Sequence, residues 1–189
     1  MMAAPRKDAA RNRELLIDAA REVLADRGAA APLELVARAA GVSRTTLHRH
    51  FADRSALVAS VLEENVRRIE ARAAELDEEP LGAVVLVHEM LDDLVRAPWL
   101  AAVVGDAEVA GMSERVLAAL EPLASRAQEE GLTHPGIGAR DMLLVLPMAM
   151  AAAAAAERSP RAQAAGTAPE LSVRALLHRG LFTTAPPGS

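Results

Sequence analysis

Apolar residues recur at three- and four-residue steps along most of the chain. From Asn12 to Arg27, Leu15, Leu16, Ala19, Ala20, Val23 and Leu24 make one stripe, which predicts an amphipathic helix stopped by Gly28. Pro32 suits a first helical position, and the next helix runs to Ala40 with Leu33, Val36, Ala37 and Ala40 on one face. Ser43 is a natural N-cap for a third helix, in which Leu47 and Phe51 stand four apart and point inward. Asp53 caps a fourth helix running to about Asp77. It starts apolar (Leu57, Val58, Val61, Leu62) and turns charged (Arg67, Arg68, Glu70, Arg72, Glu75).

After the break at Pro80, Leu81 to Arg96 is apolar on most sides, which predicts a central buried helix ended by Ala97-Pro98. Residues 99–131 read as two or three shorter helices interrupted by Gly105, Gly111 and Pro122. His134 to Gly138 is a loop. Ala139 to Arg158 is a long apolar helix bent at Pro147. Ser159 to Pro169 is a polar connection, Glu170 to Phe182 a last helix, and Thr183 to Ser189 a frayed tail. Period-two runs of β-branched residues are absent, so the expected fold is all-α, with about nine helices and no internal repeat.

One segment carries functional information. Helix, sharp turn at Gly41-Val42 and second helix from Ser43 is the order of a helix-turn-helix, whose second helix enters the DNA major groove. The chain's net charge of −5 argues against DNA until it is divided. Residues 1–60 hold ten Arg/Lys against seven Asp/Glu, or +3; residues 61–189 hold eleven against nineteen, or −8. The basic end coincides with the motif, as an electrostatic footprint requires. A helix-turn-helix domain at 1–60 and a larger helical body at 61–189 are expected.

Composition narrows the rest. Hydrophobic residues are 51% of the chain, enough for a substantial core, while aromatics are 2% (Phe51, Trp99, Phe182). The absence of Cys removes disulfides and thiolate metal sites. The opening residues hold no apolar core of signal-peptide length, and the most apolar window, Met142 to Ala156, is too short for a bilayer span of about 20 residues. A cytoplasmic protein with no membrane partner is expected.

Val36-Ala37, Ala40-Gly41-Val42-Ser43, Leu47, His50-Phe51 and Leu57, preceded by the helix ending at Gly28, make the first 60 residues resemble the TetR family of bacterial transcriptional regulators. Beyond residue 65 the resemblance is one of length and helical architecture. It implies a homodimer with N-terminal DNA-binding heads, dimerisation through the last two long helices, and a body that binds a small molecule. Most members are repressors released by their ligand. Three positions depart from the family's pattern: His48 stands where a phosphate-contacting Tyr is usual, Thr45 where Gly is frequent, and Arg54 where Lys is usual.

The DNA-binding candidates are therefore Arg44, Thr45, Thr46, His48, Arg49, His50 and Arg54. Arg44, at the start of the reading helix, can present its fork to guanine O6 and N7. Thr45 and Thr46 can meet a thymine methyl or a phosphate. His48, His50 and Arg54 match the family's phosphate positions, although His50 can equally lock the helix onto its domain. His48 and His50 diverge by roughly 200° on a helix and cannot chelate together.

In the body, His88 and Asp92 share a helix face. With Met90, Trp99 and Met142 they are the candidates for an effector pocket of adaptable apolar contacts and one polar handle. Each is also an ordinary core residue, and a plain hydrogen-bonded His88–Asp92 pair is the simpler reading. No metal site, cofactor or catalytic constellation is expected. The expected function is a regulator binding double-stranded operator DNA as a homodimer, a repressor released by a small apolar effector. A ligand-independent or partner-controlled regulator is the alternative, and an enzyme on a helical body a remote one.

Overall fold

A computed structural model describes residues 4–97, 99–100, 107–157 and 169–185. They form eight helices: α1 (Ala4–Arg27), α2 (Leu33–Ala39), α3 (Arg44–His50), α4 (Arg54–Glu75), α5 (Gly82–Arg96), α6 (Ala107–Glu129), α7 (Ala139–Glu157) and α8 (Pro169–Leu181). Among the described residues the extended structure is limited to one antiparallel bridge, Thr133 to Phe182. The chain divides into two compact units, Met1–Arg67 and Arg68–Ser189, and the division falls inside the continuous α4.

In the first unit α1 begins earlier than its apolar stripe predicts, because Ala- and charge-rich residues extend it and Pro5 sits in the first turn, where its missing N–H costs nothing. The buried stripe is Leu16, Ile17, Ala19, Ala20 and Leu24; Leu15 is exposed. Pro32 is the N-cap of α2 rather than its first residue, and Val36 and Ala37 are buried. Gly41 turns the chain between α2 and α3 at φ +67°, a conformation that costs an L side chain roughly 1–2 kcal/mol. The turn is closed by Gly41 N–H donating to Arg38 O (3.1 Å) and Val42 N–H to Ala37 O (3.0 Å). Leu47 and Phe51 are buried as predicted. Phe51 is covered by the Arg13 guanidinium, 5.5 Å from the ring centroid, and Arg13 also donates to Ser60 Oγ at 3.0 Å. Asp53 Oδ1 accepts from Ala56 N–H at 2.9 Å and caps α4, whose Leu57, Val58, Val61, Leu62 and Val66 are buried.

The second unit is built around α5, which is buried at eight of its fifteen positions, as its all-round apolar pattern predicts. Its first residue has to be glycine. A Cβ on Gly82 would lie 2.5 Å from Leu76 O and 3.0 Å from Leu123 Cδ2. Both α6 and α7 pack on α5, and α7 also packs on α6 and α8.

Residues 107–129 correct the expectation of several short helices: they form one helix that contains Gly111 and Pro122. An interior proline costs about 3 kcal/mol. Pro122 faces solvent, while Val116, Leu120, Leu123, Ala124 and Ala127 are buried along one side. Their burial, at about 1.5–3 kcal/mol for each large side chain, outweighs the break. Gly105, the other expected interruption, lies outside the described residues, as do residues 159–168 of the expected polar connection. Thr183 and Thr184 are not frayed: Thr183 N–H donates to Leu132 O at 2.9 Å and its hydroxyl to Gly131 O at 2.9 Å, and Thr184 O accepts from His178 Nε2 at 2.8 Å.

Candidate nucleic-acid interface

α3 is a short helix presenting one outward row. Ser43 caps it, its Oγ accepting from Thr46 N–H at 3.1 Å and sharing a hydrogen bond with Thr46 Oγ1 at 2.9 Å. Leu47 anchors the inner side and Phe51 N–H closes the last turn on Leu47 O at 2.9 Å. With that side fixed, Arg44, Thr45, His48 and Arg49 face solvent, and so does Arg54 at the start of α4. Thr46 is half-buried with its hydroxyl engaged at the cap. His50 is half-buried; its Nε2 is buried and has no hydrogen-bond partner among the described residues. Its ring lies 6.5 Å from that of Phe51.

Sequence reasoning missed one participant. Glu34, in the first turn of α2, pairs with Arg44: Oε1 accepts from Nη1 at 3.0 Å, and Arg44 Nε also approaches His48 Nε2 at 3.4 Å. Both partners of the ion pair are exposed, so it holds the guanidinium only weakly. Nothing in the linear spacing of residues 34 and 44 signals the pair; the turn at Gly41 brings them together.

In the body the candidates fall in two groups. Met90, Trp99 and Met142 are buried in the second unit, and Trp99 Nε1 is a buried donor with no partner among the described residues. His88 and Asp92 are joined instead through Arg174 of α8. Arg174 Nε donates to His88 Nδ1 at 2.7 Å, and its Nη1 donates to Asp92 Oδ1. His88 Nε2 meets His178 Nδ1 at 2.9 Å, and His178 Nε2 meets Thr184 O at 2.8 Å. Burial first, then Arg174 and His178, push His88 down to about 4, with Asp92 opposing. Arg174 and His178 were absent from the sequence candidates, yet they stand four apart on α8 just as His88 and Asp92 do on α5. That matching spacing was the available signal. Among the described residues no group of three His, Cys, Asp or Glu is placed to hold a metal ion, and no helix is long and apolar enough to cross a membrane.

A capped reading helix locked by Leu47 and Phe51 onto a three-helix head, joined to a helical body, defines a helix-turn-helix DNA-binding transcriptional regulator. Residues 16–61 match the sequence model of the bacterial regulatory proteins, tetR family. That match covers the helix-turn-helix head. A TetR transcription regulatory protein from Mycobacterium vanbaalenii is 28% identical, with 94% of this chain and 99% of that one covered and a TM-score of 0.67. The TetR transcriptional regulator SCO0520 from Streptomyces coelicolor is 23% identical over 91% and 99%, with a TM-score of 0.64. The fold is also that of the transcriptional regulator FadR from Bacillus subtilis, solved in complex with stearoyl-CoA, at 19% identity over 88% and 98% and a TM-score of 0.60. A search of the curated proteins returned no match.

Proposed function

We propose that the protein is a repressor that binds a palindromic operator as a homodimer and is released by a small, mainly apolar effector. The observation that carries the DNA reading is the outward row of α3. Arg44 reads a base, Thr45 and Arg49 flank it, and His48, His50 and Arg54 hold phosphates. The buried Nε2 of His50 turns that side chain towards a structural role as well, and Thr46 contributes its hydroxyl to the cap as much as to DNA. Phosphate contacts fix register and base contacts specify sequence. The protein's work is then binding rather than turnover, and its place is with the chromosome in the cytoplasm.

The dimer reading is supported by an apolar row left uncovered on the last two helices. On α7, Leu144 (54% exposed), Met148 (57%), Ala151 and Ala155 follow each other at steps of four, three and four, and on α8 Leu176 is 67% exposed. Such a row is the seam along which two helix pairs pack. Ala155 lies on this row, whereas Ala152 is half-buried.

The effector reading is supported by Met90, Trp99 and Met142, adaptable or amphipathic side chains inside the unit. The polar handle we assign is the Trp99 indole N–H, because both nitrogens of His88 already have partners and Asp92 is held by Arg174. The acyl ligand of the FadR structure is a precedent for apolar effectors on this fold. The continuous α4 offers a route from body to head: a ligand that favours one disposition of the reading helices lowers affinity for half-sites set one turn apart, roughly 34–36 Å.

Footprinting on the promoter regions flanking the protein's own gene tests the first reading; no protected palindrome would refute it. A thermal screen with acyl chains and other apolar compounds tests the second. A ligand at 100 times its Kd adds about 2.7 kcal/mol of stability, a visible rise in Tm. Trp99 is the sole Trp in a chain without Tyr, so a true effector also shifts the intrinsic fluorescence. Compounds that do neither, with DNA binding intact, leave a ligand-independent regulator.

A further inference from the structure

The side chains joining α5 to α8 form a chain of hydrogen bonds with a fixed direction. At one end stands Arg174, whose guanidinium has only donors and keeps its proton. Its Nε–H points at His88 Nδ1 (2.7 Å), so that nitrogen must be the bare acceptor and His88 must carry its hydrogen on Nε2. That N–H in turn points at His178 Nδ1 (2.9 Å), which must also be bare. His178 then carries its hydrogen on Nε2 and donates to Thr184 O (2.8 Å), a group that can only accept. Between a pure donor and a pure acceptor, two imidazoles have one consistent arrangement, and in it both are neutral.

One added proton breaks the chain wherever it lands. On His88 it must go to Nδ1 and face the Arg174 N–H. On His178 it must go to Nδ1 and face the His88 N–H. Either way two donors meet, and on His88 the new charge also faces the Arg174 cation. No water relieves this cheaply, because His88 is 4% exposed and His178 1%. Phe182 closes the other side, its ring 5.2 Å from that of His178.

We propose that the Arg174–His88–His178–Thr184 chain is an acid-released latch that holds the C-terminal helix α8 on the body at neutral pH and lets go of it on acidification. The charged groups on the two joined helices that act here are Arg174 and Asp92; Asp92 opposes release by favouring a charged His88. From α7, which packs on both helices, nothing titratable lies between Asp141 and Glu157. From α6, Arg115 is bound to Glu70 and Arg126 to Asp77. From the extended segment at 131–134, His134 binds Arg179 O. No described carboxylate besides Asp92 is placed to take up the new charge.

The sign follows from burial. His88 sits near 4 when latched and near the ordinary 6.5 when α8 is free, so the free form binds more protons between those values. Stability of the latch is full above about 6.5 and is lost as pH falls towards 4. At pH 5 the open fraction rises about 30-fold over its value at pH 7.5, from His88 alone. Because α8 carries Leu176 of the proposed dimer row, release would also weaken the dimer and its hold on DNA; that consequence rests on the dimer reading above, while the latch does not.

Hydrogen exchange of the full-length protein at pH 7.5 and 5.0, corrected for intrinsic rates, tests it with the mass in solution recorded in parallel. Amides of α8 should open about 30-fold more at pH 5.0, ahead of α5 and α6. His88→Gln keeps one acceptor for Arg174 and one donor for His178 without titrating, and should remove most of that change. Equal acid responses in both proteins, or an α8 equally protected at both pH values, would overturn the latch. Should the variant not fold, imidazole nitrogen resonances of the wild type decide instead: both His88 and His178 should be neutral with hydrogen on Nε2 at pH 7, and a cation or the other tautomer at either would overturn the proposal. An α8 that opens while the mass stays dimeric supports the latch and removes the α7–α8 interface.

Discussion

Arg44 draws on two elements: the Ser43 cap starts its helix, and Glu34 on α2 pairs weakly with its guanidinium. Arg44→Ala should relax preference at one base pair by about 1–3 kcal/mol, while Arg54→Ala should weaken every sequence alike. Binding measured on matched and singly substituted operators separates the two, and a uniform loss for Arg44→Ala would remove its base-reading role. Glu34→Gln frees the fork and removes a carboxylate from the DNA side. It should raise affinity for unrelated DNA more than for the operator, and so narrow discrimination. Gly82→Ala is a different kind of change: its Cβ would press on the Leu76 carbonyl, and overpacking of this sort costs about 1–3 kcal/mol. Urea unfolding at constant slope would read that loss.

At the scale of elements, α7 shows how a helix can be apolar all round and still have two distinct sides. Ala139, Met142 and Val145 are buried within the unit, while Leu144, Met148, Ala151 and Ala155 are not. Leu144→Glu with Ala155→Arg should therefore give a folded monomer that no longer holds a palindrome, with the helical signal unchanged. A dimeric mass for that double variant would place the interface elsewhere. Ser43→Ala should cost about 1 kcal/mol through the lost cap and loosen α3, since a helix this short has few other bonds to hold its first turn.

The whole molecule joins a basic head to an acidic body. Binding to DNA should fall steeply with salt, the logarithm of the constant changing by about 0.9 per neutralised phosphate. The slope should be set by residues 1–60, where the positive excess lies. A head-only substitution such as Arg54→Ala should flatten the slope by roughly one contact. Charge substitutions on the body should leave it unaltered. Acid should act on the body instead. Its melting temperature should drop between about 6.5 and 4 more than the His88→Gln variant's does, in the direction set by a lowered His88.

The local devices were legible in the chain: the cap at Ser43, the turn at Gly41, the inward pair Leu47 and Phe51, and the buried run of α5. Each depends on residues within a turn or two, where spacing alone sets which face a side chain takes. The sequence also placed His88 beside Asp92. What it lacked was distance in space. His178 lies ninety positions from His88 and Arg174 eighty-two from Asp92. Pro122 reads as a break, yet the burial of Leu120, Leu123 and Ala127 carries α6 through it. Hydrophobic period and caps are local quantities, so the sequence by itself determined most of the helices and the outward row of α3 that we propose reads DNA. Partners across the core depend on how helices pack, so only the tertiary structure decided that His88 belongs to a buried relay, that Arg44 has Glu34, and that Leu144 and Met148 are left uncovered.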